Sequence, residues 1–296
     1  MGMDWMRLDP VAVAWLLSPL GLAVIGLCIG SFINVVVHRL PVMMERQWRA
    51  ESAELLGVEA ARPPGDDGSP LSLARPRSRC PHCGHVLHWH ENLPLVGWLR
   101  LGGRCSACRA PISKRYPLVE AGCGLLFAAI GWRFGAQPTT LLWCAFGALL
   151  LTMSLIDWDT TLLPDSMTQP LAWAGLVAAA LGWIPLTLSQ SLWGAVAGYL
   201  SLWSIFWLFK LATGKDGMGA GDFKLLAALG AWLGPAMLLP IVLGASLLGA
   251  VVGIGMKLSA NLREGRYVPF GPFLAGGGAV VMLAGSERVM RWMGWA

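Results

Sequence analysis

Leu225–Met256 reads LLAALGAWLGPAMLLPIVLGASLLGAVVGIGM, 32 residues without a charge. At a rise of ~1.5 Å per residue that run is too long for one upright helix across a hydrocarbon core of ~30 Å. Gly234-Pro235 interrupts it, because proline lacks an N–H and its ring clashes with the preceding turn. The stretch therefore predicts two membrane helices meeting at that dipeptide. Reading outward, apolar stretches cover 11–37, 118–136, 139–156, 167–187, 190–209, 223–234, 236–256 and 268–286. That gives eight spans, or seven if 225–256 is one. Val11–Val37 is too long for a signal-peptide core and has no small-residue cleavage site beyond it, so it reads as a retained first span. With 55% hydrophobic residues, 13% charged residues and a mean hydropathy of +0.58, the chain lacks the charge needed to cover a soluble surface of this size. The fold class expected is an all-α polytopic membrane protein with about eight transmembrane helices and a small cytoplasmic zinc-binding lobe.

The polar residues concentrate in one block. Three regions follow: a first transmembrane helix over 1–37, a cytoplasmic lobe over 38–115, and a seven-helix catalytic membrane domain over 116–296. Within the lobe, residues 49–74 include Arg62-Pro-Pro-Gly-Asp-Asp-Gly-Ser-Pro70 and read as a flexible insertion. The net charge of +5 does not form a soluble basic face, which argues for lipid and against nucleic acid as a partner. If the lobe is cytoplasmic, so are the connections 157–166, 210–222 and 257–267. Then 18 of the 22 Lys and Arg residues lie inside, and only Arg7, Arg133, Arg288 and Arg291 lie outside. The sequence is silent on oligomeric state.

Cys80-Pro-His-Cys83 and Cys105-Ser-Ala-Cys108 are paired CxxC units separated by 21 residues. Four thiolates at this spacing suit one tetrahedral Zn2+, and a lobe of this size gains a folding centre from the metal. A site closed by Cys80, Cys83, Cys105 and Cys108 leaves no position for an activated water, so the zinc is structural. Disulfides conflict with a cytoplasmic lobe, and a redox CxxC explains only one pair. His82, His85, His88 and His90 could replace a cysteine ligand or stand as surface and hydrogen-bonding groups. Cys28, Cys123 and Cys144 read as small buried hydrophobes in apolar helices.

Carboxylates are rare after residue 115. Asp157 falls at the cytoplasmic end of the third span and Asp222 opens the sixth, 65 residues later. Both would terminate helices at one membrane face. Two facing carboxylates share a proton, so one can deprotonate a water while the other protonates a scissile amide. Gly217, Gly219 and Gly221 remove Cβ bulk where an extended substrate backbone would approach. The competing reading makes both residues interfacial caps or lysine partners. Asp159, Asp165 and Asp216 suit that role better. Composition alone does not settle Asp157 against Asp159.

Several ordered motifs carry a resemblance over nearly the whole chain. They are Gly30-Ser-Phe-Ile-Asn-Val-Val-Val-His-Arg-Leu-Pro41, the double CxxC with Glu91-Asn92-Leu93-Pro94 between, and Ile112-Ser-Lys-Arg-Tyr-Pro-Leu-Val-Glu120. Ile156-Asp157 through Leu163-Pro164-Asp165 and Gly217-Met-Gly-Ala-Gly-Asp-Phe-Lys-Leu-Leu226 complete the set. The chain resembles the type IV prepilin leader peptidases, and Gly219-Ala220-Gly221-Asp222 is similar to the GxGD signature of intramembrane aspartic proteases. The resemblance implies a bacterial inner-membrane aspartic endopeptidase whose essential aspartates match Asp157 and Asp222. It implies prepilins and type II secretion pseudopilins as substrates, with a short basic leader removed at the cytoplasmic face. It also implies N-methylation of the new terminus with S-adenosyl-L-methionine. No Rossmann glycine fingerprint marks a methyl-donor pocket. His38, Arg39 and Glu120 are candidates for cofactor contact or lobe docking. Glu45 and Glu91 are candidates for attracting the leader, or ordinary surface acids. Asn34 is a candidate for interhelical or substrate hydrogen bonding.

Overall fold

The computed structural model describes residues 10–58, 70–259 and 268–295. Helices dominate, and the only β pairing among the described residues is two isolated bridges. The chain divides into two compact units, residues 1–137 and 138–296. The helix over Arg115–Phe134 falls in the first of these units.

In the first unit, α1 (Pro10–Leu16) stops short and α2 (Pro19–Leu56) begins anew. The expected span 11–37 is therefore broken. Ser18 caps α2, its Oγ accepting the Gly21 N–H at 3.1 Å, and Pro19 supplies a preset φ at the first helical position. Beyond Val37 the helix does not end. Residues 49–56, expected to open a flexible insertion, are its last turns, supported by Gln47–Glu51 and Arg49–Glu45 pairs at i,i+4. The rest of that insertion, 59–69, lies outside the described residues.

Alpha-helix α3 (Val96–Arg100) sits in the cysteine lobe, and α4 (Arg115–Phe134) packs along α2. Gly26 and Gly30, one turn apart on α2, make the approach possible. A Cβ on Gly26 would lie 2.7 Å from the Cys123 carbonyl oxygen, and one on Gly30 would lie 2.7 Å from the Glu120 Cα. Small residues at this spacing let helix backbones meet in a lipid environment. Asn34 adds a tie, donating from Nδ2 to the Tyr116 carbonyl at 3.2 Å. Its interhelical role is thereby filled by the protein itself. Cys123 and Cys144 are buried as expected, whereas Cys28 is exposed on α2.

The second unit contains α5 (Thr140–Thr160), α6 (Asp165–Ala180), α7 (Leu188–Thr213), α8 (Ala220–Leu233), α9 (Leu238–Leu258), α10 (Gly271–Ala284) and α11 (Ser286–Trp292). A 3-10 turn over Pro235–Met237 joins α8 to α9, so the Gly234-Pro235 break does divide the long apolar run. The centre of the unit is α8, packed against α6, α7 and α10 and buried from Asp222 to Trp232 on most sides. Gly194 of α7 and Gly230 of α8 face each other so closely that a Cβ on either would collide with the other's carbonyl oxygen. Ser191 Oγ donates to the Ala231 carbonyl at 2.7 Å across the same seam. On the opposite flank Trp232 packs with Trp143 and Phe146 of α5 and donates Nε1–H to the Leu171 carbonyl at 2.8 Å.

Among the described residues, five helices are long and apolar enough to cross a membrane: α2, α4, α5, α7 and the Pro235–Leu258 segment. A sixth results if α10 and α11, bent by 109°, count together. The other apolar helices, α6 and α8, have 16 and 14 residues. At ~1.5 Å per residue they are about 24 and 21 Å long, short of a full hydrocarbon core. The span expected over 167–187 is cut at Ala180 by Leu181-Gly182, where Gly182 turns left-handed at φ 67°.

Candidate active site and metal centre

Asp157 lies in the last turn of α5, with 5% of its surface exposed. Thr161, left-handed at φ 56°, ends the helix by donating its N–H to the Asp157 carbonyl at 2.8 Å. The helix period separates Asp157 from Asp159 by about 200°, which turns Asp157 inward and leaves Asp159 half-buried. Asp222 stands in the first turn of α8 with 7% exposed, and the Asp157 carboxylate lies within Coulombic reach of it.

A third element completes the arrangement. Gly271 begins α10, and its free N–H donates to Asp157 Oδ2 at 3.0 Å. The first N–H groups of a helix have no intrahelical partner and favour an anionic acceptor. A Cβ on Gly271 would stand 2.5 Å from that oxygen. Leu163 fills the space between, meeting the Cβ positions of both Gly271 and Gly221. So α5, α8 and α10 converge on one buried patch carrying two acids. Gly271 and Leu163 are the residues that sequence reading missed. Gly271-Pro272 is a recognisable helix start, but nothing in the chain order names the carboxylate it serves.

The other acids behave as caps and partners. Asp165 opens α6 and pairs with Lys224 at 2.7 Å, while Asp216 pairs with Lys210 at 2.8 Å. Gly217 abuts the Phe209 ring, so this glycine serves local packing; a Cβ on Gly219 would meet nothing.

The cysteine lobe is two similar knuckles. In each, the first cysteine's N–H donates across a turn, Cys80 to the His85 carbonyl and Cys105 to the Ala110 carbonyl, both at 2.9 Å. A residue of positive φ follows each second cysteine: Gly84 at 72° and Arg109 at 61°. Isolated bridges Arg79 to Val86 and Arg104 to Pro111 close the pair. The four sulfurs converge, with Cys80 to Cys108 at 3.8 Å and Cys83 to Cys105 at 3.9 Å. Tetrahedral bonds of ~2.3 Å place sulfurs about 3.8 Å apart, so the set fits one Zn2+-sized ion. Backbone N–H groups of Cys83 and then His82 hold the Cys80 thiol down at about 7. Those of Cys108 and then Ala107 lower Cys105. Both first-position thiols are thereby prepared as ligands.

The candidate lobe contacts resolve as scaffolding. Arg39 donates to the carbonyls of Ser72 and Pro76 at 2.9 and 2.7 Å, and buried Glu120 accepts the Leu95 N–H at 2.8 Å. Glu91, 6% exposed at its side chain, accepts the His88 N–H and contacts His85, so its charge is engaged within the lobe. Glu45 pairs with Arg49.

Fold and site together define an all-α polytopic membrane protein with a buried pair of acids and a cluster of four cysteines able to coordinate a metal ion. Two family models match: the bacterial peptidase A24 N-terminal domain over residues 24–134, and the type IV leader peptidase family over 144–254. The chain is 49% identical to the prepilin leader peptidase/N-methyltransferase of Stutzerimonas stutzeri, covering 92% of this chain and 93% of that protein. It is 50% identical to that of Pseudomonas aeruginosa, covering 92% of each. A Burkholderia pseudomallei relative of the same name is 51% identical, over 89% of this chain and 84% of its own length. No solved structure matches significantly. The chain belongs to the type IV leader peptidase family.

Proposed function

We propose that this chain, a prepilin leader peptidase/N-methyltransferase by family, cleaves prepilins and pseudopilins through Asp157 and Asp222 at the cytoplasmic face of the bacterial inner membrane. The convergence of both buried carboxylates, with Gly271 fixing one of them, is the observation that carries the reading. Gly271 engages Asp157 Oδ2 and leaves the other oxygen to a water. One carboxylate removes a proton from that water as its oxygen attacks the scissile carbonyl carbon. The protonated partner donates to the leaving amide nitrogen, the C–N bond breaks, and the dyad ends with one proton as it began. Burial supports the exchange, since water would otherwise screen the pair.

The substrate's apolar helix rests among the membrane helices while its basic leader stays in the cytoplasm. Charge distribution supports the orientation, and the apolar helices α6, α8 and α10 support a count of eight spans, three of them short. The four-cysteine centre holds structural zinc, because soft thiolates at tetrahedral spacing suit that ion. S-adenosyl-L-methionine is the methyl donor for the second reaction.

Purified wild-type protein, Asp157→Asn and Asp222→Asn are each given a membrane-helix substrate with a basic leader. Each variant is expected to lose at least ~10³-fold in cleavage rate while keeping wild-type helicity and metal content. Undiminished cleavage by either variant would remove that residue from the dyad. Product mass with and without S-adenosyl-L-methionine reads the methyl transfer separately.

A further inference from the structure

We propose that His85, His88 and Glu91 form a second divalent-metal site on the cysteine lobe, separate from the four sulfurs. The ligand atoms of these three side chains lie within 4.8 Å of one another. Three ligands bound to one ion at ~2.0–2.2 Å stand roughly 3–3.5 Å apart, so a small closing movement completes the set. His88 is exposed, its ring stacked on His90 at 5.6 Å and edge-on to His85 at 5.7 Å, and a turn of that ring makes the movement, whereas the other two are already positioned. Glu91 accepts the His88 backbone N–H at 2.8 Å with Oε2, and the same oxygen lies 3.1 Å from His85 Nε2. Ser106 Oγ, beside Cys105, also reaches His85 Nε2 at 3.2 Å.

Two imidazoles and a carboxylate form a borderline nitrogen and oxygen donor set, suited to Zn2+, Co2+ or Ni2+ and unlike the soft thiolate centre. An ion would take the place between His85 Nε2 and Glu91, with the imidazole proton moving to Nδ1. Three protein ligands also leave coordination positions for water or a further donor, in contrast to the closed sulfur site. The two sites are mechanically linked. His85 follows Cys83 by two residues, and its carbonyl accepts the Cys80 N–H. Filling the sulfur site therefore fixes the backbone that carries the first imidazole.

The full-length protein in detergent is stripped of metal and titrated with Co2+, with absorption and bound metal measured together. Two equivalents are expected. The first produces sulfur-to-metal charge-transfer absorption, and the second binds without adding to it. His88→Ala, at an exposed position, should weaken the second equivalent more than tenfold and leave the sulfur absorption unchanged, which also reports a folded lobe. Glu91→Gln should weaken it similarly. A wild-type protein that binds one equivalent only would overturn the proposal, as would a second equivalent indifferent to both substitutions. Loss of sulfur-band intensity in His88→Ala would place His88 in the cysteine site and equally end the claim of a separate one. A first equivalent lacking the sulfur band would instead refute the four-cysteine centre and leave the His88 comparison standing.

Discussion

At Gly271 the absent side chain matters as much as the N–H that is present. Alanine there must displace either Asp157 Oδ2 or Leu163, whose Cδ1 lies 3.1 Å from the same Cβ position. A misplacement on the order of 1 Å in a catalytic group costs about 100-fold. Gly271→Ala is therefore expected to lower kcat of leader cleavage by roughly that factor with little change in KM. Steady-state kinetics on a prepilin peptide would check it, and wild-type kcat would contradict the hydrogen bond's role. A second residue-scale outcome concerns Glu91. Hydrogen bonds from Ser106, from the His88 N–H and from His85 hold its carboxyl down at about 2, against an ordinary 4.5. A depressed folded-state value contributes stability above pH 4.5 that is lost as pH falls from there toward 2. The stability difference between wild type and Glu91→Gln should be full at pH 7 and shrink through that window. Hydrogen exchange of the lobe amides measures it; a pH-independent difference would contradict the assignment.

Among the elements, α8 asks the most of its neighbours. At ~1.5 Å per residue its 14 residues reach about 21 Å, less than the ~30 Å of a hydrocarbon core, and most of them are buried against neighbouring helices. Its position comes from the Gly194–Gly230 contact, the Ser191 hydrogen bond and the Trp143–Phe146–Trp232 cluster. Gly230→Val would push α7 away from α8, because the nearest atoms are backbone and have no rotamer to yield. Overpacking of this kind costs about 1–3 kcal/mol. The thermal unfolding midpoint should fall by several degrees, and cleavage should fall with it because Asp222 rides on the same helix. An unchanged midpoint would show that the seam is looser than its geometry. The two cysteine knuckles are the contrasting case: they repeat one local geometry and owe little to distant helices.

For the whole molecule, the positive-inside distribution makes a topological prediction. Gln137→Cys, in the α4–α5 connection, should react with a membrane-impermeant thiol reagent in intact spheroplasts. Lys215→Cys, between α7 and α8, should react only after permeabilisation. The reverse pattern would invert the orientation and place the acids on the wrong face for a cytoplasmic leader. Matched family models divide the chain near the same place as its compact units, between residues 134 and 144. Each unit thus carries its own centre, sulfur in the first and carboxylate in the second.

Hydropathy and spacing determined the membrane class, the break at Gly234-Pro235 and the two CxxC pairs, because lipid burial and a four-ligand ion constrain residues over short stretches. They did not determine that the first span restarts at Pro19, that α2 runs on to Leu56, or that Ala180 ends α6. Those outcomes depend on individual caps and glycines, which are weak signals inside long apolar runs. Only the tertiary structure buried Asp157 more deeply than Asp159 and brought Gly271 to it across 114 residues of chain. A hydrogen bond of that kind depends on how three helices pack, and no local pattern encodes it.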